Sequence, residues 1–321
     1  MFRKQLTCSI AAASLSVAMV LSGSSALADD HYPEKPIEMT ITFGAGGSAD
    51  ISGRLAAEAA SQVLGQPISV VNRTGGGGAI GFEHVRVQEP DGYNIGWLSA
   101  SILTTTLLGS LPQQWDDWEY VTNITVEPAA IVVRNDSPWQ TMEEFLAAAD
   151  NTSNRIRIGH AGVGSFTYTA AAALANEAGV EPVFVPVGKR RIPSLLGGEV
   201  EAISVHPPEA MSLLRAGEVR FLGVLAPERN AAFPDVPTFA ELGYDLGFYQ
   251  FRGVFVPKGT PQHVKEKLDD AFREASKSEE LLSVAEEKGF GVFYIGLDEY
   301  TDFVEEQNQL LDEAIEALGI R

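Results

Sequence analysis

The chain has 321 residues, 45% of them hydrophobic, with 43 acidic against 23 basic side chains and a formal net charge of −20. An acidic balance of this size argues against nucleic acid or an anionic membrane surface as partner, because both would repel it. The length allows one large domain or two lobes, with enough interior to stand without disulfides.

In chain order, Arg3 and Lys4 precede an apolar run from about Ile10 to Leu21, and Ala26-Leu27-Ala28 closes the stretch. A basic start, a short apolar run and an A-x-A site predict a signal peptide over 1–28, cleaved after Ala28, and hence a periplasmic protein. The run is too short and too rich in Ala and Ser to span a bilayer. The single cysteine, Cys8, falls inside this segment, so no disulfide or thiol chemistry is expected after export.

Ile37, Met39 and Ile41 alternate with Glu38, Thr40 and Thr42, the period-2 signature of a strand. Ile51, Leu55, Ala59, Val63 and Leu64 recur at helical spacing. Between the two lies Gly44-Ala45-Gly46-Gly47-Ser48-Ala49-Asp50. A glycine turn that opens a helix directs backbone N–H groups and the positive end of the helix dipole toward an anion. The same residues also suit an ordinary capped turn.

Ile68–Val71 reads as a second strand, and Asn72 to Gly81 as another glycine-rich turn opening a helix to about Gln88. Asn94–Ser99 is a third strand, with Ser99 at its end. Tyr120–Thr125 and Ala129–Val133 are apolar runs separated by Glu127-Pro128. Ser137 and Thr141 are two start signals for a helix whose body is Phe145–Ala149. Ile156–Gly159 then leads into His160-Ala161-Gly162-Val163-Gly164-Ser165-Phe166-Thr167 and an alanine-rich helix to Ala178. This repeats the strand–glycine turn–helix unit, and two such units in separate halves favour a ligand site in a cleft between lobes.

Strands follow at Val183–Val187, Ala202–Val205 and Phe221–Leu225, with short helices between, and Pro234–Thr238 opens a helix ending at Gly243. Phe248–Val256 is apolar and aromatic. Three helical segments (263–276, 279–288 and 298–318) and a strand at 292–295 complete the chain. Strands alternating with helices predict an α/β fold with mostly parallel sheets flanked by helices.

Catalytic equipment is not evident. No histidines stand in H-x-x-x-H spacing, so no metal is expected. No G-x-S-x-G elbow occurs, and the glycine run at 75–78 lacks the G-K-[ST] of a phosphate loop. Gly44-x-Gly46-x-x-Ala49 fits a dinucleotide fingerprint only loosely, and an exported chain has little access to NAD. The expectation is a protein without enzymatic activity or cofactor. Lys189-Arg190-Arg191 is either a cationic fork for a carboxylate or a helix start paired with acidic neighbours. Arg252, set among Phe248, Tyr249, Phe251 and Val254, must be buried and paired, with a structural carboxylate or with a ligand. His160 and His206 each follow a strand, where an open sheet carries its ligand sites.

Tyr32-Pro33-Glu34-Lys35-Pro36-Ile37 and Phe43 to Asp50 resemble the mature start of the periplasmic solute receptors of tripartite tricarboxylate transporters, the Bug-type receptors. Asn72 to Gly81, Pro90-Asp91-Gly92-Tyr93, Leu195 to Val200, Pro234 to Thr238 and Arg252 to Pro261 continue the resemblance in order. It implies a two-lobed periplasmic-binding-protein fold, with lobe 1 formed by 29–126 plus 252–321 and lobe 2 by 127–251. It further implies a monomer that binds a small mono-, di- or tricarboxylate between its lobes and delivers it to the permease subunits in the membrane. The alternative is a ligand-sensing module for a signalling partner. The resemblance implies that the loops Ala45 to Asp50 and His160 to Thr167 hold the ligand; the expected ligand-binding residues are Ala45, Gly46, Gly47, Ser48, Asp50 and Ser99 from the first lobe, with Arg252. Those from the second are His160, Gly162, Gly164, Ser165, Thr167 and His206. Asp50 is expected to cap its helix, and Gly46 and Gly47 to present their amides. Two departures stand out: Gly44 replaces a frequent proline, and Val187 to Ser194, which borders the cleft in the family, is shorter and basic here.

Overall fold

The computed structural model describes residues 31–150 and 155–318; the expected signal peptide lies outside them. β1 (Ile37–Ile41) turns Ile37, Met39 and Ile41 fully inward, and α1 (Ser48–Leu64) follows the glycine turn and stops at Gly65. Then come β2 (Ile68–Asn72), α2 (Ala79–Arg86), β3 (Asn94–Trp97), α3 (Ser101–Leu107) and β4 (Trp118–Glu127). After Pro128 the chain builds β5 (Ala129–Arg134), α4 (Met142–Ala149), β6 (Arg157–His160) and α5 (Phe166–Glu177). It continues with β7 (Val183–Pro186), α6 (Arg191–Leu196), β8 (Ala202–Val205), α7 (Pro207–Arg215) and β9 (Val219–Leu225). β10 (Gln250–Pro257), α8 (Gln262–Ala275), α9 (Glu279–Lys288), β11 (Gly291–Ile295) and α10 (Leu297–Leu318) end it.

Two sheets result, one in each lobe of an α/β fold. The first is ordered β11-β4-β10-β3-β1-β2 and the second β7-β6-β8-β5-β9. Each is mixed, which corrects the expectation of mostly parallel sheets. Parallel pairing is confined to β1 with β2 and β3, and to β6 with β7 and β8. β10 runs antiparallel to β3 and β4, β11 to β4, and β5 to β8 and β9. The cause is connectivity. β5 and β10 enter one sheet directly from the other without a crossover helix, and parallel pairing requires such a crossover.

Apolar packing holds the layers. Met39, Ile41 and Trp97 meet Leu268 and Phe272 between the first sheet and α1 and α8. Phe145, Ile158 and Leu174 fill the second sheet's core, which continues through Phe166, Phe248 and Phe251 to Tyr300 and Leu311 of α10. Each such fully buried side chain contributes roughly 1.5–3 kcal/mol. Val132, Ile203, Met211, Phe221 and Phe233 pack the other face of the second sheet.

Three elements differ from the sequence reading. α3 was not expected, because Ser101 to Thr105 are all buried and a helix buried on every side shows no periodicity. The helix near 140 starts from Thr141, not Ser137. Thr141 Oγ1 accepts from the Glu144 amide at 3.3 Å while Glu144 Oε2 accepts from the Gln140 amide at 2.6 Å, whereas the Ser137 amide closes a turn onto Arg134 O. The expected helix at 234–243 is a run of turns. Thr238 and Glu241 exchange hydrogen bonds of 2.8 and 3.1 Å, but Tyr244 N returns to Phe239 O and closes the segment at once.

Candidate ligand-binding cleft

The glycine turns of the two strand–turn–helix units face one cleft of about 900 Å³, walled by loops from both sheets. Of the residues expected there, Ala45, Gly46, Gly47, Ser48, Ser99, Gly162, Ser165, Thr167, His206 and Arg252 line it, and Asp50, His160 and Gly164 stand behind its wall.

The β1–α1 turn is held by Asp50. Its Oδ2 accepts from the Gly46 amide at 2.9 Å, and its Oδ1 accepts from Arg54 Nε and Asn72 Nδ2, each at 2.9 Å. Gly46 has φ of 78°, the left-handed region that favours glycine, which aims its N–H back at this carboxylate. Burial alone would raise the Asp50 carboxyl; its bonds to Arg54, Gly46 and Asn72 outweigh that and hold it below its ordinary range. The Gly47 amide closes onto Gly44 O at 3.2 Å. The two amides expected to face a ligand are therefore spent inside the turn. Those of Ser48 and Ala49, in the first turn of α1, have no hydrogen-bond partner among the described residues. Asp50 likewise does not sit at the N-cap, which is Gly47.

The β6–α5 turn repeats this economy. Ser165 Oγ accepts from the Tyr168 amide at 3.3 Å and donates to Gly162 O at 2.7 Å, while Thr167 Oγ1 accepts from the Ala161 amide at 3.2 Å. The hydroxyls expected to hold a ligand shape the loop. Phe166 N donates to Ser101 Oγ at 3.0 Å, and Thr104 Oγ1 donates to Gly164 O, so α3 of the first lobe grips this turn. At Gly77, with φ of 69°, an added Cβ would lie 2.6 Å from Val163 O. The glycine run 75–78 and the loop 162–165 thus touch across the cleft.

His160 is a loop support. Its Nδ1 accepts from the Gly162 amide at 3.2 Å and its ring packs 4.8 Å from that of Tyr168. Burial pushes its pKa down to about 4, so the ring is neutral. His206 does reach the cleft wall; its Nδ1–H donates to Pro128 O at 2.8 Å. Burial, then the neighbouring Arg252 charge, holds it below the ordinary histidine value.

The floor is a buried polar network that the sequence reading found only in part. Arg252 Nε lies 2.7 Å from Glu127 Oε2, with its N–H directed off that line, so the contact is ionic rather than a well-formed hydrogen bond. Ser48 Oγ donates to Glu127 Oε2 at 2.5 Å and Ser52 Oγ to Oε1 at 3.2 Å. The Gln250 amide orientation that satisfies its neighbours accepts from Arg252 Nη1 at 2.9 Å and Ser99 Oγ at 2.7 Å. Burial would raise the Glu127 carboxyl; the Arg252 guanidinium outweighs it and keeps the group ionised. Arg252 is the paired, buried arginine its apolar neighbours implied.

Val187 to Ile192 forms the remaining wall. Arg190 pairs with Glu199 at 2.6 Å, and Arg191, nearly buried, pairs with Glu209. Lys189 has no carboxylate partner among the described residues. Beyond Glu127, Ser101 and Glu209 were missed by sequence reasoning, and neither carries a local motif that marks it. No cluster of His, Cys, Asp or Glu able to hold a metal occurs among the described residues, and no described helix is long and apolar enough to cross a membrane.

Comparison with known proteins agrees with this architecture. A sequence profile described as the tripartite tricarboxylate transporter family receptor matches residues 53–320. A UPF0065 protein in the gbd 5′ region of Cupriavidus necator is 30% identical, over 97% of this chain and 95% of that protein. Among solved structures, the periplasmic binding protein BugD is 26% identical with a TM-score of 0.84, covering 90% of this chain and 99% of its own. MatC from Rhodopseudomonas palustris, solved with bound malate, is 25% identical with a TM-score of 0.82, covering 88% of this chain and all of its own.

Proposed function

Since the chain belongs to the tripartite tricarboxylate transporter receptor family, we propose that it is an extracytoplasmic receptor that binds a small carboxylate in the cleft and hands it to that transporter's permease subunits. The observation that carries this reading is the pair of helix starts. The first turns of α1 and α5 open on the same cleft, and the Ser48 and Ala49 amides there have no acceptor among the described residues. Such a site suits a carboxylate, with the dipoles of two helices behind it. In a chain of net charge −20, attraction has to be local, and the cleft supplies it. The malate bound to MatC supports the same ligand class.

The lobes are assigned as 29–126 with 252–321, and 127–251, closing over the ligand by rotation at Pro128 and within 226–249. No catalysis is assigned: the floor carboxylate is paired with Arg252 and the cleft histidine is neutral and tied to Pro128 O. A thermal-shift screen of small carboxylates on the chain without residues 1–28 tests the reading. A ligand at 100 times its Kd adds about 2.7 kcal/mol to stability, and a panel of C3 to C6 carboxylates that produces no shift would overturn it. Uptake of the identified carboxylate by cells carrying the permease, with and without this protein, tests the partnership.

A further inference from the structure

Four cations line the cleft, Lys189, Arg190, Arg191 and Arg252, against one lining carboxylate among the described residues, Glu209, with Glu127 buried beneath the floor. Three of the four are already matched. Arg252 is held by Glu127, Arg191 by Glu209 and Arg190 by Glu199. Lys189 alone has no carboxylate within ion-pair distance among the described residues, and it stands exposed on the wall.

Its position is specific. A Cβ added at Gly44 would lie 3.8 Å from Lys189 Cβ, so the lysine stem stands directly across the cleft from the β1–α1 turn. The four-carbon stem is flexible and its ammonium is a compact charge, suited to reach a group held at that turn. The charge balance points the same way. The starts of α1 and α5 each present about half a positive charge, the acid in the first turn of α1, Asp50, is offset by Arg54, and α5 has none. α7 adds little, since Pro207 and Pro208 remove two donors and Glu209 lies in its first turn. Two helix starts and one free ammonium sum to about two positive charges, which a monocarboxylate leaves unmatched.

Resting on the receptor reading above, we infer that Lys189 is the specificity-determining cation of the cleft: it takes the second carboxylate of a dicarboxylate whose first carboxylate sits on the Ser48 and Ala49 amides. The preference is thus carried by the basic wall from Val187 to Ile192 and not by the two glycine turns.

The test is titration calorimetry of the chain without residues 1–28 against matched pairs of equal length, succinate with butyrate and adipate with hexanoate. The wild-type protein is expected to bind the dicarboxylate of at least one pair tenfold or more tighter than its partner. Lys189→Met should collapse that ratio to within twofold, and Lys189→Arg should restore most of it. Lys189 is exposed, so the apo melting temperature checks that each variant is folded. A wild-type ratio near one, or a ratio that survives in Lys189→Met, overturns the inference while leaving carboxylate binding in place. Binding of none of the four acids counts against the receptor reading itself, and the inference falls with it.

Discussion

Arg252 and Glu127 face each other diagonally across the β4–β10 pair, Nε to Oε2 at 2.7 Å, with neither side chain more than 2% exposed. Removing one partner strands a buried charge, which costs about 3–5 kcal/mol. Arg252→Ala and Glu127→Ala should each lower the unfolding free energy by that order in denaturant titrations. The double variant Glu127→Leu/Arg252→Met should lose less than the sum. Single variants within 1 kcal/mol of the wild type would show the pair to be dispensable.

The contact between Gly77 and Val163 predicts a separation of binding from folding. Gly77→Ala places a Cβ 2.6 Å from Val163 O and an L side chain at φ of 69°, costing about 1–2 kcal/mol. The loops can relieve the clash by parting, so affinity should fall tenfold or more while the apo protein stays folded. Calorimetry and circular dichroism check this, and unchanged affinity would mean that the two loops need not meet around the ligand.

Asp50 is assigned to shaping the turn from behind. Asp50→Ala removes the acceptor for Gly46, Arg54 and Asn72 together, with an expected loss of about 1–3 kcal/mol. Asp50→Asn keeps an acceptor oxygen but not the charge, and should fall between. If Asp50→Ala retains full stability and full affinity, the turn is held by other means.

Acid should weaken the fold in two stages. His160 has a folded pKa of about 4 against an ordinary value of 6.5, so the unfolded chain binds its proton first. Its contribution is therefore complete above pH 6.5 and is lost as pH falls toward 4, by at most ~3 kcal/mol at 1.36 kcal/mol per unit. His206, also depressed, acts in the same direction. The contributions of the depressed carboxylates Asp50 and Glu127 are complete above their own ordinary values, 3.8 and 4.5, and are lost only as pH falls below them. Below pH 6.5 the loss comes from the depressed histidines, His84 among them, while Asp269, whose carboxyl burial raises above 3.8, acts in the opposite direction. His160→Gln should flatten the slope below pH 6.5, and an identical slope in that variant would remove His160 from the account.

The strand–turn–helix units were legible because the hydrophobic period switches from 2 to 3.6 across each glycine turn, at Ile41 to Ile51 and at Ile158 to Thr169. The turns that meet in the cleft follow from that switch, whereas the two-lobed fold was implied by the family resemblance. Which atoms face the cleft was not legible. Gly46 and Gly47 look like free donors in sequence, yet Asp50, four residues beyond Gly46, claims one amide and Gly44 O the other. Glu127 reads as a lone acid beside a proline, and its role arises only when β4 pairs with β10 and brings Arg252 to it. α3 was hidden by its own burial. The helix expected from Pro234 to Gly243 had its start signals without the length to use them.

Ser48, Ser52, Ser99, Glu127, Gln250 and Arg252 all stand on the first sheet, on the helix laid against it or on the loop that ends one of its strands. The second sheet reaches this floor through the bond from His206 to Pro128 O, at the crossing itself. If the lobes part as proposed, the floor and the first turn of α1 travel together, because one sheet and its helix carry all of these groups. On that reading a solute meets a half-site already assembled, and its release is set by how fast the loop 162–165 and the segment from Val187 to Ile192 pull away.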